Sequence, residues 1–447
     1  MTCYSDIPTL NDRLDWAAEV IRMKNRMLES PTPHVFGIHG DWGIGKTSFM
    51  RQLQIILGGE ISKDATVDME NCISIASDQR RVLAKQVVTI WFDAWRYQNE
   101  KAPIVALLQE MRHQMSTSRS LRQRFKKTSE IALYSVLDSL SDVGKVIGMD
   151  GLPSVENIEK RADAWERDNY AGTIQTDSIR DHLSQAIKFL LPHENSRVIV
   201  FIDDLDRCNS RAVIRLLEGL KIYLSIPKCV FVLGMNERVL VDAIRDELSY
   251  NHQVPTDEVK LRAAHYLEKI CTDIFRVPSP RSPVALIKKW IKEVDQGVAL
   301  QTAIGDISCL PPNPRRLKAL VNQWERFSKC VPFPIAPDAQ KIWAVRVLVA
   351  VYIHQFHRDL WERWYFNANF WVEIQAWCSG ERMTPKPDWA RNLKLTYDEA
   401  TANSNVLVGS FPNPGDVENF WIGVLILEYR DHLLPDDFKP LLLSLGV

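Results

Sequence analysis

A glycine-rich stretch near the start of the chain constrains the fold more than any other feature. Residues 34–53 read HVFGIHGDWGIGKTSFMRQL, and their centre fits the pattern G-x-x-x-x-G-K-[ST] with Gly40, Gly45, Lys46 and Thr47 in register. An apolar run precedes the pattern and apolar residues at helical spacing follow it, which predicts a strand, a glycine loop and a helix in that order. Because the first N–H groups of a helix have no partners inside the helix, this arrangement predicts a polyphosphate site.

The residue types in this loop match the needs of a bound triphosphate. Lys46 is predicted to reach the β and γ phosphates as a point charge, and the Thr47 hydroxyl is predicted to ligate Mg²⁺. An ordinary strand-to-helix turn is the alternative, but such a turn has no need for lysine and threonine together at its exit. The predicted nucleotide-binding residues are Gly40, Asp41, Trp42, Gly43, Ile44, Gly45, Lys46, Thr47 and Ser48.

A second site is predicted farther along the chain, where another buried strand ends. Residues 197–208 read RVIVFIDDLDRC, and their apolar run predicts a parallel-sheet strand that ends on Asp203 and Asp204. Adjacent carboxylates repel each other unless a cation or a proton lies with them. We expect Asp203 to hold Mg²⁺ and Asp204 to orient and deprotonate the attacking water. The alternative is a structural acidic turn.

Two further polar residues are candidate sensors of the bound phosphates. Asn236 follows an apolar strand that begins at Cys229, and its amide is placed either to bridge the γ phosphate and the water or to cap the next helix. Arg315 lies in the first turn of a helix that Asn313 and Pro314 open. Because a helix dipole disfavours a cation there, we expect an anion nearby and predict that Arg315 reaches the nucleotide from a helical lid. A surface arginine pair is the alternative.

Two weaker features flank these motifs. Residues 87–95, VVTIWFDAW, predict a buried strand that places Asp93 and Trp95 either at the ligand edge of the sheet or in a packing role. An opening helix is also predicted, with a packing role favoured over contact with a nucleotide base. Its predicted apolar face consists of Leu10, Leu14, Ala17, Ala18 and Ile21.

The composition excludes several classes of protein. The chain has 447 residues, 46% hydrophobic and 25% charged, with a net charge of −1, which indicates a globular protein with no overall charge that favours nucleic acid or membranes. Its 8 cysteines include no C-x-x-C pair, so neither a disulfide framework nor a zinc site is indicated. With no signal peptide and no transmembrane segment in the pattern, we expect a cytoplasmic location.

The remaining segments predict helices and contact surfaces. Arg112–Lys127 is the most basic patch of the chain and is either a nucleic-acid site or a solvated helix face. It opens a predicted helical insertion at about 112–176. The last third of the chain is dense in aromatic residues, which favours a core or a subunit contact over a ligand site.

The motifs, taken in chain order, resemble the KAP family of P-loop NTPases, which are additional-strand ATPases near the STAND and AAA+ groups. The resemblance rests on the loop, WFDAWRY, FIDDLDRC, LLEGLKIYL, VFVLGMNERVL, YLEKI and NPRRLKALVN. It implies ATP binding and hydrolysis, a doubly wound sheet and a helical lid. Since prokaryotic members include phage-exclusion and antiviral defence proteins, it also implies a role in phage defence. This chain has FDAW where the family usually has FNAW, and Asn236 where the family usually has aspartate.

We therefore expect an α/β protein with the doubly wound parallel sheet of a P-loop NTPase. Its expected parts are an N-terminal helix (1–30), a core (31–255), a helical lid (256–330) and a mainly α region for partners or assembly (331–447). The expected function is an ATPase that uses ATP and Mg²⁺ to drive conformational change or assembly, as a homo-oligomer and with an effector protein partner. Two alternatives stay open: a nucleotide-dependent switch with little turnover, and a nucleic-acid remodelling ATPase that uses Arg112–Lys127.

Overall fold

The structure of the protein is a computed structural model. The chain divides into two compact units. The first unit contains the described residues between 7 and 278, and the second contains those from 279 onward. The structure describes 7–61, 86–100, 193–223, 227–249, 265–280, 283–291, 313–329 and 333–367, together with single positions and pairs between these ranges.

The first unit is built on a 5-stranded sheet in which every pair of neighbours is parallel, in the order β2–β3–β4–β1–β5. The parallel register brings the carboxyl ends of the strands to one edge, so that Asp93 pairs with Asp203 and His39 with Met235. Strand β4 lies between β1 and β3. The strands are β1 (His34–His39), β2 (Val87–Asp93), β3 (Arg197–Asp203), β4 (Cys229–Met235) and β5 (Asp273–Arg276).

Helices cover both faces of this sheet. They are α1 (Ala17–Glu29), α2 (Lys46–Ile56), α3 (Ser210–Tyr223) and α4 (Glu237–Ser249). On the face of α1 and α2, the core includes Ile199 and Phe201 of β3, whereas Val198, Val200 and Ile202 of the same strand lie in the core under α3 and α4. This alternation explains why the strand is apolar throughout, since both of its faces are covered. The predicted doubly wound α/β fold is confirmed.

The start of α1 differs from the predicted apolar face. The helix begins at Ala17, because the Asp12 carboxylate accepts hydrogen bonds from the N–H groups of Trp16 at 2.7 Å and Ala17 at 2.9 Å and thereby caps it. Leu10 is buried outside the helix, and Ile21 is 48% exposed. The prediction of one face through these positions is therefore wrong. The buried face of α1 consists of Val20, Met23 and Met27.

The described part of the second unit is helical. Its helices are α5 (Pro283–Ile291), α6 (Pro314–Ser328), α7 (Pro337–Phe356) and α8 (Arg358–Phe366). Trp324 of α6 meets Trp343 of α7 edge to face, with ring centroids 5.4 Å apart. Within the described ranges, no helix is both long enough and apolar enough to span a bilayer.

Several predicted segments lie outside the described residues. They include nearly all of the basic patch Arg112–Lys127, most of the predicted insertion at 112–176, and the chain beyond residue 373. The roles predicted for them stay predictions.

Candidate functional site

The glycine loop joins β1 to α2 at the carboxyl edge of the sheet. The N–H of Gly40 donates to the carbonyl of Met235 at 3.2 Å, which ties the loop to the end of β4. Gly45 precedes α2 with φ of 108°, and a Cβ at this position would lie 2.9 Å from the ring of Trp16. Only glycine satisfies both conditions. The loop therefore presents the first turn of α2, which begins at Lys46, to this edge of the sheet.

Lys46 has an internal partner that the sequence did not predict. Its Nζ donates to the carbonyl of Gly40 at 2.8 Å and forms an ion pair with Asp206 Oδ2 at 3.0 Å. The two side chains are 8% and 5% exposed. The predicted phosphate-binding lysine is thus folded over its own loop and neutralised by a carboxylate that follows β3.

Thr47 and Asp203 lie together, although they are distant in sequence. Burial raises the pKa of Asp203, whereas the Thr47 side chain and the backbone of Asp204 lower it, together with the charges of Arg51 and Lys46. The two residues predicted to hold the metal are therefore neighbours at this edge of the sheet.

This pair fits a magnesium ion. Asp203 is 3% exposed, and its Oδ1 has no hydrogen-bond partner among the described residues. Mg²⁺ binds proteins through one or two oxygen ligands and takes its remaining ligands from phosphates and water. The described residues contain no group of three or more His, Cys, Asp or Glu that could hold a metal ion. A buried carboxylate beside a hydroxyl provides the oxygen ligands that such a site needs.

Gly234 leaves the space that the Asp203 carboxylate occupies. A Cβ at this position would lie 2.7 Å from Asp203 Oδ1 and 2.7 Å from the sulfur of Met50. We expect Gly234→Ala to displace the carboxylate, to lower the free energy of unfolding by about 1–3 kcal/mol, and to weaken the response to Mg²⁺. Denaturant unfolding and Mg²⁺ titrations of thermal stability with ADP present would measure both effects.

The matched control is Gly37→Ala on the neighbouring strand. There the added methyl group would press against the flexible end of Met235 and would not meet a carboxylate. We expect this variant to retain the wild-type response to Mg²⁺. An unchanged response in Gly234→Ala as well would contradict the role given to Asp203.

Asp204 occupies an unusual backbone position directly after β3. Its φ of 58° is in the left-handed region, and it opens the short 3₁₀ turn Leu205–Arg207. Its Oδ1 forms an ion pair with Arg207 Nε at 2.9 Å. Burial and the neighbouring charge of Asp203 raise the pKa of Asp204 to about 7, although Arg207 acts in the opposite direction. A carboxyl group that titrates near neutral pH is suited to accept a proton.

Asn236 has one of the two roles that the sequence left open, that of a helix cap, and its contact with a phosphate stays a prediction. Its Oδ1 accepts from the N–H of Arg238 at 3.1 Å, which caps α4, and its Nδ2 donates to Asp41 Oδ1 in the loop at 3.4 Å. Next to it, the N–H of Glu237 donates to His39 Nδ1 at 2.9 Å. Burial lowers the pKa of His39, which favours the neutral ring that this bond requires. Hydrogen bonds therefore connect the residues that follow β4 to His39, where β1 ends, and to Asp41 in the loop.

A buried cation lies behind the carboxylates. The guanidinium of Arg51 on α2 stacks on Trp91 at 3.4 Å from the ring centroid, and its charge acts on Asp203 and Asp93. Burial lowers the pKa of Arg51 to about 10. Burial also raises the pKa of Asp93, which forms an ion pair with Arg96 at 3.4 Å. The carboxylate of the FDAW sequence is thus part of this charged cluster.

The other residues of the predicted loop differ in their surroundings. The hydroxyl of Ser48 accepts from the N–H of Thr9 at 3.1 Å, so it contacts the N-terminal segment. Trp42 is 64% exposed and Ile44 is buried. Gly43 has φ of 84°, which glycine adopts readily.

Arg315 lies in the second unit. Asn313 Oδ1 accepts from the N–H groups of Arg315 at 3.1 Å and Arg316 at 3.3 Å, which confirms the predicted N-cap of α6. The contact of Arg315 with a nucleotide stays a prediction.

Three charged or polar residues of the site were not predicted. Arg51 follows Thr47 by one helical turn, so the spacing already placed both on one face of α2. Asp206 is the third carboxylate of DDLDRC, and its negative charge could have indicated a partner for Lys46. No sequence signal distinguished His39.

One comparison with known proteins identifies the family. The KAP family P-loop domain matches residues 18–327. No curated protein sequence matches the chain. Among solved structures, a Walker-type ATPase of Pyrococcus abyssi is similar at 14% identity, with a TM-score of 0.35 and 98% of each chain covered. Since the family match covers more than half of the sequence, the chain belongs to the KAP family of P-loop NTPases.

Proposed function

We propose that this protein is a Mg²⁺-dependent ATPase. The supporting observation is that Lys46 and Thr47, at the start of α2, lie beside the carboxylates at the end of β3 and in the turn after it. The Thr47 side chain acts on the pKa of Asp203, and Asp206 forms an ion pair with Lys46. An ordinary strand-to-helix turn would not require a lysine, a hydroxyl and several carboxylates from distant segments at one edge of a sheet.

Each side chain has a distinct task in this proposal. Lys46 and the N–H groups of the loop bind the phosphates, and Thr47 and Asp203 hold Mg²⁺. The metal ion would neutralise charge that develops on the phosphates. Asp204 accepts the proton of the attacking water, and Asn236 positions the groups around it.

The cellular setting is part of the proposal and rests on family membership. We place the protein in the cytoplasm in prokaryotic antiviral defence, where hydrolysis drives conformational change or self-assembly. The region 331–447 would contact an effector protein or another copy of the chain. Arg315 would join the nucleotide site from the lid.

Steady-state phosphate release tests the central claim. We expect ATP hydrolysis that requires Mg²⁺, measured at several protein concentrations together with particle mass, with and without nucleotide. A rate per chain that rises with concentration would support assembly. Tight ATP binding without phosphate release at any concentration would favour the nucleotide-dependent switch, and a chain that binds no ATP would contradict both functions.

A further inference from the structure

The ion pair between Lys46 and Asp206 raises a question about how phosphate enters the site. A buried ammonium group requires a counter-ion, and Asp206 provides one at 3.0 Å. A phosphate bound at the loop would need the same ammonium group. Both groups are anions, and two anions on one buried cation repel each other strongly.

Asp206 belongs to the same short turn as a second ion pair. Leu205 is fully buried in the core under α3 and α4. Asp206 forms the ion pair with Lys46, and Arg207 forms the ion pair with Asp204. The N–H of Arg207 also donates to the carbonyl of Asp204 at 3.1 Å. The partners of Lys46 and of Asp204 are therefore adjacent residues of one turn.

We propose that Asp206 is the resident counter-ion of Lys46 in the nucleotide-free protein and that the incoming phosphate displaces it. Displacement of Asp206 moves the turn Leu205–Arg207 and weakens the ion pair between Arg207 and Asp204. Asp206 is therefore a positioning residue that weakens phosphate binding and links occupation of the loop to release of the proton acceptor. This inference rests on the proposed function.

Asp206→Asn tests the proposal because it removes the charge and preserves the size of the side chain. The empty protein loses a counter-ion and the occupied protein does not, so we expect a lower Tm without nucleotide and a larger rise in Tm with ADP. The Kd values for a fluorescent ADP analogue and for pyrophosphate should fall about tenfold. The KM for ATP should fall as well, without an increase in kcat.

Two variants serve as comparisons. Asp206→Glu restores the charge and should return the affinities toward wild type. Asp242→Asn removes an exposed carboxylate on α4 whose partner is Arg245 at 2.8 Å, and it should leave affinity, Tm shift and kcat unchanged. A merely structural Asp206 would lower the Tm equally with and without ADP and would leave the affinities unchanged.

A measurement on the wild-type protein covers the case in which Asp206→Asn does not fold. Hydrogen exchange of the amides of Arg207 and Cys208, which are bonded within the turn, should become faster when ADP or pyrophosphate binds. Unchanged or slower exchange, or wild-type affinity in Asp206→Asn, would overturn this inference alone. A wild-type protein that binds neither probe would overturn the proposed function together with it.

Discussion

Lys46→Ala is expected to abolish nucleotide binding. The substitution removes the cation that we propose binds the phosphates, so we expect the Kd for ATP to rise at least 100-fold, which is about 3 kcal/mol of binding free energy. It also leaves Asp206 buried without its cation. Breaking a buried ion pair in this way costs about 3–5 kcal/mol of stability. Calorimetric titration with ATP and denaturant unfolding of the empty protein would measure the two effects.

A second substitution separates the two effects of Lys46→Ala. The double variant Lys46→Ala/Asp206→Asn removes the uncompensated charge, so it should regain much of the lost stability and still not bind ATP. Lys269→Ala, at an exposed position of the same unit, should match the wild-type protein in both measurements. Retained ATP affinity in a folded Lys46→Ala protein would contradict the nucleotide site.

Asp204→Asn is expected to preserve nucleotide binding and to remove turnover. The amide has nearly the same size as the carboxylate but does not accept the proton of the attacking water, and loss of a general base lowers kcat by about 10²- to 10⁴-fold. Parallel measurements of ATP affinity and phosphate release would show the separation. Asp246→Asn, an exposed carboxylate near the end of α4, is the control.

The pH dependence provides a second test of Asp204. Because its pKa is raised to about 7, the carboxyl group is mostly protonated below neutral pH and cannot accept a proton there. The kcat/KM of the wild-type protein should therefore rise about tenfold per pH unit below pH 7 and level off above it. The residual rate of Asp204→Asn should lack this rise, with ATP affinity measured at each pH for comparison. Full hydrolysis by Asp204→Asn would remove the assignment.

Much of the fold was predictable because the strands carry continuous apolar runs. The run at residues 198–202, for example, is apolar on both faces of β3, and this pattern has few alternatives in a soluble protein. The start of α1 was not predictable from periodicity, because it depends on local hydrogen bonds that the Asp12 carboxylate accepts from the N–H groups of Trp16 and Ala17. Within one helical turn, capping hydrogen bonds can override the spacing of apolar residues, and they do so at the start of α1.

The candidate site was predictable in its residue types but not in its pairing. Lysine, threonine and adjacent aspartates follow from the chemistry of phosphate and Mg²⁺. Which carboxylate faces Lys46 depends on the turn after β3, where the left-handed conformation of Asp204 directs Asp206 toward the loop. Such a backbone conformation is uncommon outside glycine, and the sequence contains no signal for it.

The position of β4 between β1 and β3 sets the distance between the ends of these two strands. Neighbouring strands are about 4.8 Å apart, so the ends of β1 and β3 are separated by about 10 Å. Main-chain hydrogen bonds maintain this distance, and a single side-chain replacement does not shorten it. Variants at the site should therefore change its chemistry while the spacing of the two strands stays the same.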